Sequence, residues 1–420
     1  MRRALPIVLV AAACLIASCG DEDEQPTTRV AGDTLTVYAS LPAHGDDAAA
    51  GRAAEAGMRA ALRDAGGTAA GRTVRLEVLS ATRPEDDAWD PGTVEANAER
   101  AADDDTTIAY LGELDRGASA ISLPVTSRAG ILQVSPADGL ASYTRRPPGR
   151  PRAGPERYYP GERRNLVRMV PSDLGSAREI VAALRSSGAR RLAVIHGNGI
   201  ADRELEAMVL WLLGDGPPKD VFRADALPKE ELEPAEGEVE RTPSGEPEPL
   251  ADLVAELAAA RPDVLLYSGP ADAAGIATLR AVARELPDLP VIGGPPLARA
   301  AGLPGMPSTG CAMTGVPPAA ELPPRGRRLL ERLRASGGDP DLGGEAVLGY
   351  EAMRRALAAV EEGGPDRAAV VAAARPARVD DGPVGPYAID RRGDREDAEP
   401  VCVGLADAVA AGSVLAGRLP

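Results

Sequence analysis

TIAYLGELDRGASAISLPVTSRAGILQVSPA, residues 107–137, is the stretch from which the fold can be read. It opens on an apolar run of strand length, 107–111, and crosses a small polar loop into a helical segment, 118–127. It closes on a second apolar run, 131–134. Strand, helix and strand at this spacing describe a right-handed crossover between parallel strands. The same alternation extends outward. Residues 34–38 read as a strand, and 53–62 carry apolar residues at helical spacing until Gly66-Gly67 ends the helix. Residues 74–79 alternate as a strand and 94–102 as a helix. The predicted class is α/β, with a parallel sheet covered on both faces.

The regularity breaks at 144–164, where Arg-Arg-Pro-Pro-Gly-Arg-Pro-Arg and Tyr-Tyr-Pro-Gly-Glu-Arg-Arg continue neither element. This segment is expected to run over the surface before the chain crosses to a second array. That array has strands at 166–170, 192–196, 221–227, 264–267 and 291–293, and helices at 177–186, 203–213, 250–260 and 271–284. Residues 229–249 hold eight Glu among Pro and Gly, an acidic low-complexity loop. The last part supplies a strand at 310–316, helices at 324–335, 345–361 and 367–374, a Gly-Pro-Val-Gly-Pro-Tyr turn, and a closing hairpin through 387–389 and 400–405. These elements are too few for a third domain. They are expected to return and complete two lobes, so that the chain crosses between them repeatedly and forms a hinge.

The chain has 420 residues and a formal charge of −16, which repels nucleic acid and anionic headgroups. Arg2 and Arg3, the apolar run 4–16 and the small residues Ala17 and Ser18 have the anatomy of an export signal, too short to span a bilayer. They resemble a lipoprotein signal, with cleavage before Cys19 and lipid on its thiol; an ordinary secretory peptide is the alternative. Loss of residues 1–18 takes Arg2 and Arg3 from the 47 basic residues and nothing from the 63 acidic ones, so the mature chain is more acidic still. Residues 19–33 are too polar to bury anything and are expected to serve as a tether. Cys14 leaves with the signal. Cys311 and Cys402 remain in an oxidising setting as candidates for a disulfide, the alternative being two buried thiols. With only His44 and His196 and no Cys-x-x-Cys, a metal site has too few ligands, and no cofactor motif is present.

The order of segments resembles the type I periplasmic binding fold, in particular the substrate-binding lipoproteins of branched-chain amino acid (Leu/Ile/Val-binding-like) ABC transporters. The resemblance runs from about Leu35 to Leu405. It is carried by Ser40-Leu41-Pro42, the helix ending in Asp64-Ala65-Gly66-Gly67, Tyr110-Leu111-Gly112 and Gly130-Ile131-Leu132-Gln133-Val134-Ser135-Pro136-Ala137. Further on it includes Arg168-Met169-Val170-Pro171-Ser172-Asp173, Arg191-Leu192-Ala193-Val194-Ile195-His196 and Asp263-Val264-Leu265-Leu266-Tyr267-Ser268-Gly269. It ends with Gly382-Pro383-Val384-Gly385 and Asp390-Arg391-Arg392-Gly393-Asp394. The resemblance implies two Rossmann-like lobes joined by a multi-strand hinge. The expected lobes are 34–169 with 318–396, and 170–317 with 397–420.

It also implies a ligand between the lobes, at the C-terminal ends of the parallel strands. The loops that would hold its polar end contain Asp115, Ala118 and Ser119, and Ala137, Asp138 and Gly139; His44 and His196 end neighbouring segments and could reach the same cleft. The family's amino-acid binders clamp the α-carboxylate with hydroxyls in the first loop and a Thr in the second, where this chain offers Asp115, Arg116 and Gly139. The family's ammonium-binding acid corresponds to proline in Gly294-Pro295-Pro296. These departures argue against a free α-amino acid. No Gly-x-Ser-x-Gly elbow, Walker loop or His-Glu-x-x-His suggests an enzyme. The expectation is a monomeric, lipid-anchored, extracytoplasmic binder of a small polar solute, serving an ABC permease and catalysing nothing. A sensing receptor of the same fold, or an envelope scaffold with a decayed cleft, are the alternatives.

Overall fold

The computed structural model describes residues 28–405 except 87, 162, 215–219, 226–249, 337–341 and 397, with the backbone alone for 220–225. The export signal, Cys19, the tether before residue 28 and the acidic loop at 229–249 lie outside the described residues.

The first sheet contains β1 (Thr34–Leu41), β2 (Thr68–Ala69), β3 (Arg72–Ser80), β4 (Thr107–Leu111), β5 (Leu132–Ser135) and β6 (Leu166–Arg168), in the order β2-β3-β1-β4-β5-β6. All its pairings are parallel except the short β2–β3 turn. The period of two along β1 explains why both faces are covered. Leu35, Val37 and Ala39 pack against helices α1 (Ala48–Asp64) and α10 (Gly344–Gly363), while Tyr38 packs on the opposite side with Tyr110, Ala98 and Ala101. That opposite layer is α2 (Pro91–Asp103) and α3 (Ser119–Arg128), which returns the chain to β5.

The second sheet is built the same way. Helix α4 (Asp173–Ser186) leads to β7 (Arg191–His196), α5 (Ile200–Leu213) and β8 (Asp220–Asp225). Then follow α6 (Leu250–Ala260), β9 (Val264–Ser268), α7 (Ala273–Glu285), β10 (Val291–Gly293), α8 (Pro295–Ala300) and β11 (Gly310–Thr314). Ser172 starts α4 by accepting from the Leu174 amide, and Asp272 starts α7 by accepting from Gly275 at 2.8 Å. Helix α8 is absent from the sequence reading; proline at its first helical positions sets the backbone for the helix.

The chain then returns to the first lobe through α9 (Pro324–Ala335), α10 (Gly344–Gly363) and α11 (Arg367–Ala373). Helix α10 lies against α1 so closely that a Cβ at Gly57 would overlap the Ala346 carbonyl, and one at Gly349 the Ala54 carbonyl. Strands β12 (Ala377–Gly382), β13 (Gly385–Ile389) and β14 (Arg395–Glu396) form a small antiparallel sheet, after which β15 (Val401–Gly404) joins the edge of the second sheet, antiparallel to β11.

Two expectations are corrected here. The closing hairpin does not exist: 387–389 pairs with β12 and β14, whereas β15 pairs with β11 in the other sheet. The true hairpin, β12–β13, turns Ala377, Val379, Tyr387 and Ile389 to the core, but Arg378, Asp380 and Asp381 leave β12 half-exposed and its alternation too short to read. Residues 144–164 are also not a simple surface excursion. Tyr158 and Tyr159 are buried, and Tyr158 meets Tyr143 edge to face at 5.0 Å, with Leu123, Leu140, Leu166 and Ala201 around them.

The chain passes between the sheets after β6, after β11 and after β14. At the first crossing Arg168 is fully buried, its Nη2 lying 2.7 Å from Asp394 Oδ1 and its Nη1 donating to the Leu140 carbonyl at 2.8 Å. Burial alone would raise the Asp394 carboxyl, but Arg168 and Arg145 beside it outweigh that and hold it below the usual range. On the second sheet's edge, Met313 on β11 is the register partner of Cys402 on β15, and Cys402 is disulfide-bonded to Cys311 with the Cα atoms 5.8 Å apart.

Candidate functional site

In both sheets the loops at the C-terminal strand ends point to the seam between the lobes. The first lobe contributes the turns after β1, β4 and β5; the second contributes those after β7, β9 and β10.

Asp138 is fully buried, and its carboxylate accepts from the Gly117 and Ser119 amides at 3.0 Å each and from the Tyr143 hydroxyl at 2.8 Å. It therefore occupies the N-terminus of α3, the position where free amides and the helix dipole would otherwise attract an anion. Ser119 is buried too, and its hydroxyl accepts from the Glu113 amide at 3.2 Å; the Ala118 amide donates to the Asp115 carbonyl at 3.3 Å. Ala137 is half-buried, and the Gly139 carbonyl accepts from the Asp173 amide at 2.7 Å. His44 is exposed, with its backbone amide donating to Thr82 Oγ1 at 2.9 Å. His196 is half-buried at the end of β7, its Nδ1 3.1 Å from the Gly197 carbonyl.

The charged groups of the seam are the part that sequence reasoning did not assemble. Arg116 leaves the first lobe and places Nη2 2.7 Å from Asp173 Oδ2, at the start of α4, and Nη1 3.8 Å from Asp202 Oδ1, in α5. Its side chain is only 7% exposed. A second bridge joins Asp47, just before α1, to Arg299 of α8 at 2.9 Å. Apolar contact accompanies these pairs: Ile200 and Ala201 pack with Leu123 and Tyr143, and the backbone of Gly117 lies against Ile200. The lobes are thus in contact through both charge and apolar surface.

The acids of the seam are strongly perturbed. Burial pushes the Glu113 carboxyl up to about 7 although Tyr110 donates to its Oε1 at 2.7 Å. Burial likewise raises Glu204 to about 7, although the Ser142 amide donates to it at 3.0 Å, and Asp202 to about 6 despite Arg116. Burial first, then the like charge of Asp47, raises Asp115 well above the usual range. Asp115 Oδ2, Glu113 Oε2 and Arg116 Nε are buried without a hydrogen-bond partner. Carboxyls perturbed by burial and like charge cluster at functional sites, and also occur in structural ion-pair networks.

A family model described as periplasmic binding protein matches residues 35–403. No curated protein matches the sequence. Among solved structures, a leucine-binding protein from Thermotoga maritima is similar over 91% of this chain and 97% of its own, at 21% identity and a TM-score of 0.69. An ABC transporter substrate-binding protein from Desulfitobacterium hafniense, in complex with Leu, covers 91% of this chain and 99% of its own, at 17% identity and a TM-score of 0.68. A solute-binding protein of an R. palustris ABC transporter, in complex with benzoate, covers 92% and 98%, at 17% identity and a TM-score of 0.64. At such identities the likeness is one of fold.

Proposed function

This chain belongs to the periplasmic binding protein family, and from that premise we propose that it is an extracytoplasmic solute-binding lipoprotein of an ABC importer, taking a small polar solute between its lobes. The observation that carries the proposal is the seam itself. Loops from the carboxyl ends of two parallel sheets face each other there, and their contacts combine ion pairs and unpartnered polar atoms with a small apolar patch. An interface of that kind separates and recloses at low cost, as solute capture by hinge closure requires.

In this reading the lobes are 34–169 with 318–396, and 170–317 with 397–420. The solute lies against His44, Asp115, Ala137, Gly139 and His196, while Ala118, Ser119 and Asp138 shape the loops behind them. The protein binds and releases without catalysis, as a monomer held to the membrane by lipid on Cys19, and a membrane permease reads the closed shape. The neighbours' ligands, leucine and benzoate, supply the scale of solute.

The two ion pairs that bridge the lobes favour a second reading, a receptor whose closed state reports rather than delivers. A thermal-shift screen of the mature chain over amino acids, amides, organic acids and sugars tests solute binding. Saturable stabilisation by one chemical class is expected, and no response across the set contradicts both readings. For the anchor, Cys19→Ala is expected to move the protein from the membrane to the soluble fraction; unchanged membrane association contradicts lipidation.

A further inference from the structure

The seam has an uneven account of charge. Asp138 is satisfied by two amides and a hydroxyl, and Asp173 by Arg116. Asp47 is met by Arg299, and Arg116 divides its own charge between Asp173 and Asp202. Asp115 is left over. It is 3% exposed, its Oδ2 has no hydrogen-bond partner, and the charges acting on it are the like charges of Asp47 and Glu113 with Arg299 opposing. Glu345, in the first turn of α10, shares the same Asp47 and Arg299. The adjacent Arg116 contributes an unpartnered donor, Nε, although its charge is already spent. A buried carboxylate oxygen without a partner is costly, and a cation that arrives as a donor removes the cost. An incoming carboxylate meets the opposite situation. The α3 amides are taken by Asp138, and Asp115 with its acidic neighbours Asp47 and Glu113 would oppose a second anion.

We propose that the cleft selects a small organic cation, a primary ammonium without a carboxylate, with Asp115 as its counter-ion and Arg116 Nε donating to a neutral acceptor beside the ammonium. The inference deepens the solute-binding reading and rests on it.

The test uses probes that share an isobutyl group and differ in head group: isoamylamine, leucinamide, leucine and isocaproate, each titrated into the mature chain while its melting temperature is followed. Leucinamide and isoamylamine are expected to raise it by about 3–6 °C at roughly a hundredfold excess over Kd. Leucine and isocaproate are expected to leave it unchanged. Asp115→Asn should abolish the response to both amines, while its own melting temperature equals or exceeds that of the wild type, because an amide of the same shape replaces a carboxyl that burial and Asp47 already push toward its neutral form. The comparison of leucinamide with leucine on the wild-type protein decides the question without any variant. Equal or greater stabilisation by leucine or isocaproate overturns the cation while leaving a solute-binding protein. Amine stabilisation that survives Asp115→Asn overturns the assignment of the counter-ion. No stabilisation by any of these probes, or by the wider screen, removes this inference together with the reading on which it rests.

Discussion

Arg116 Nη2 lies 2.7 Å from Asp173 Oδ2, joining the loop after β4 to the first residue of α4 and therefore one lobe to the other. Asp202 stands on the second side of the guanidinium at 3.8 Å. Arg116→Ala leaves two acids of the second lobe without their counter-ion on a dry seam, a loss of about 3–5 kcal/mol if the lobes stay shut. Opening the hinge rehydrates them. The variant is therefore expected to melt several degrees lower and to show a larger radius of gyration by small-angle scattering; unchanged values of both would contradict the bridge.

The pair Arg168–Asp394 holds the first crossing rather than the seam, and both residues are buried. Asp394→Ala strands a guanidinium in the interior and is expected to cost about 3–5 kcal/mol in urea unfolding. Asp394→Asn, which keeps a hydrogen-bond acceptor, is expected to cost less. The wild-type contribution is present above the unfolded carboxyl's pKa and lost as pH falls through the depressed folded value. A neutral effect of Asp394→Ala would show that the crossing does not depend on this pair.

Glu113 and Glu204 at about 7 and Asp202 at about 6 have the opposite sign. Their folded pKa values stand above the unfolded ones near 4, so the stability they contribute is full below about pH 4 and is lost as pH rises through 6 to 7. Glu113→Gln removes one of these titrations and retains an acceptor for Tyr110. Relative to wild type, it is expected to gain on the order of 2–3 kcal/mol between pH 5 and pH 8. Denaturant unfolding at the two values checks this, and a difference independent of pH contradicts it.

Cys311 and Cys402 close a loop across a sequence separation of 91 residues. In the chain-entropy view such a link contributes about 4–5 kcal/mol. Peptide mapping without reductant is expected to yield one linked peptide pair, and reduction is expected to lower the melting temperature. Free thiols at both positions would contradict the bridge.

The sheets were legible in the sequence because their strands are buried on both faces, so that 107–111 and 264–267 appear as unbroken apolar runs of strand length. Helix α8 was not legible because Pro295 and Pro296 signal a break unless the preceding Gly294 is known to cap a helix. Strand β12 is short and charged at Arg378, Asp380 and Asp381, so its pairing with β13 was not legible and 400–405 was given the wrong partner. Within the seam, the cleft loops were identifiable by position along the chain, but their contacts were not. Arg116 meets Asp173 57 residues away, and Asp138 turns back to cap α3 rather than facing outward. Pairings of that range depend on how the lobes meet, which no local pattern encodes.

The central claim, that solute enters between the lobes, is tested by locking them. A Cβ built at Gly117 lies 3.9 Å from Ala201 Cβ, within the span of a disulfide. Gly117→Cys with Ala201→Cys is therefore expected to form a bridge across the seam on oxidation. Gly117 has φ +86°, so the substitution carries a strain of about 1–2 kcal/mol that the reduced variant reports as a control. With any solute that stabilises the wild type, the account predicts that the oxidised double variant fails to bind in calorimetric titration and that reduction restores binding. Undiminished binding to the locked form would contradict it.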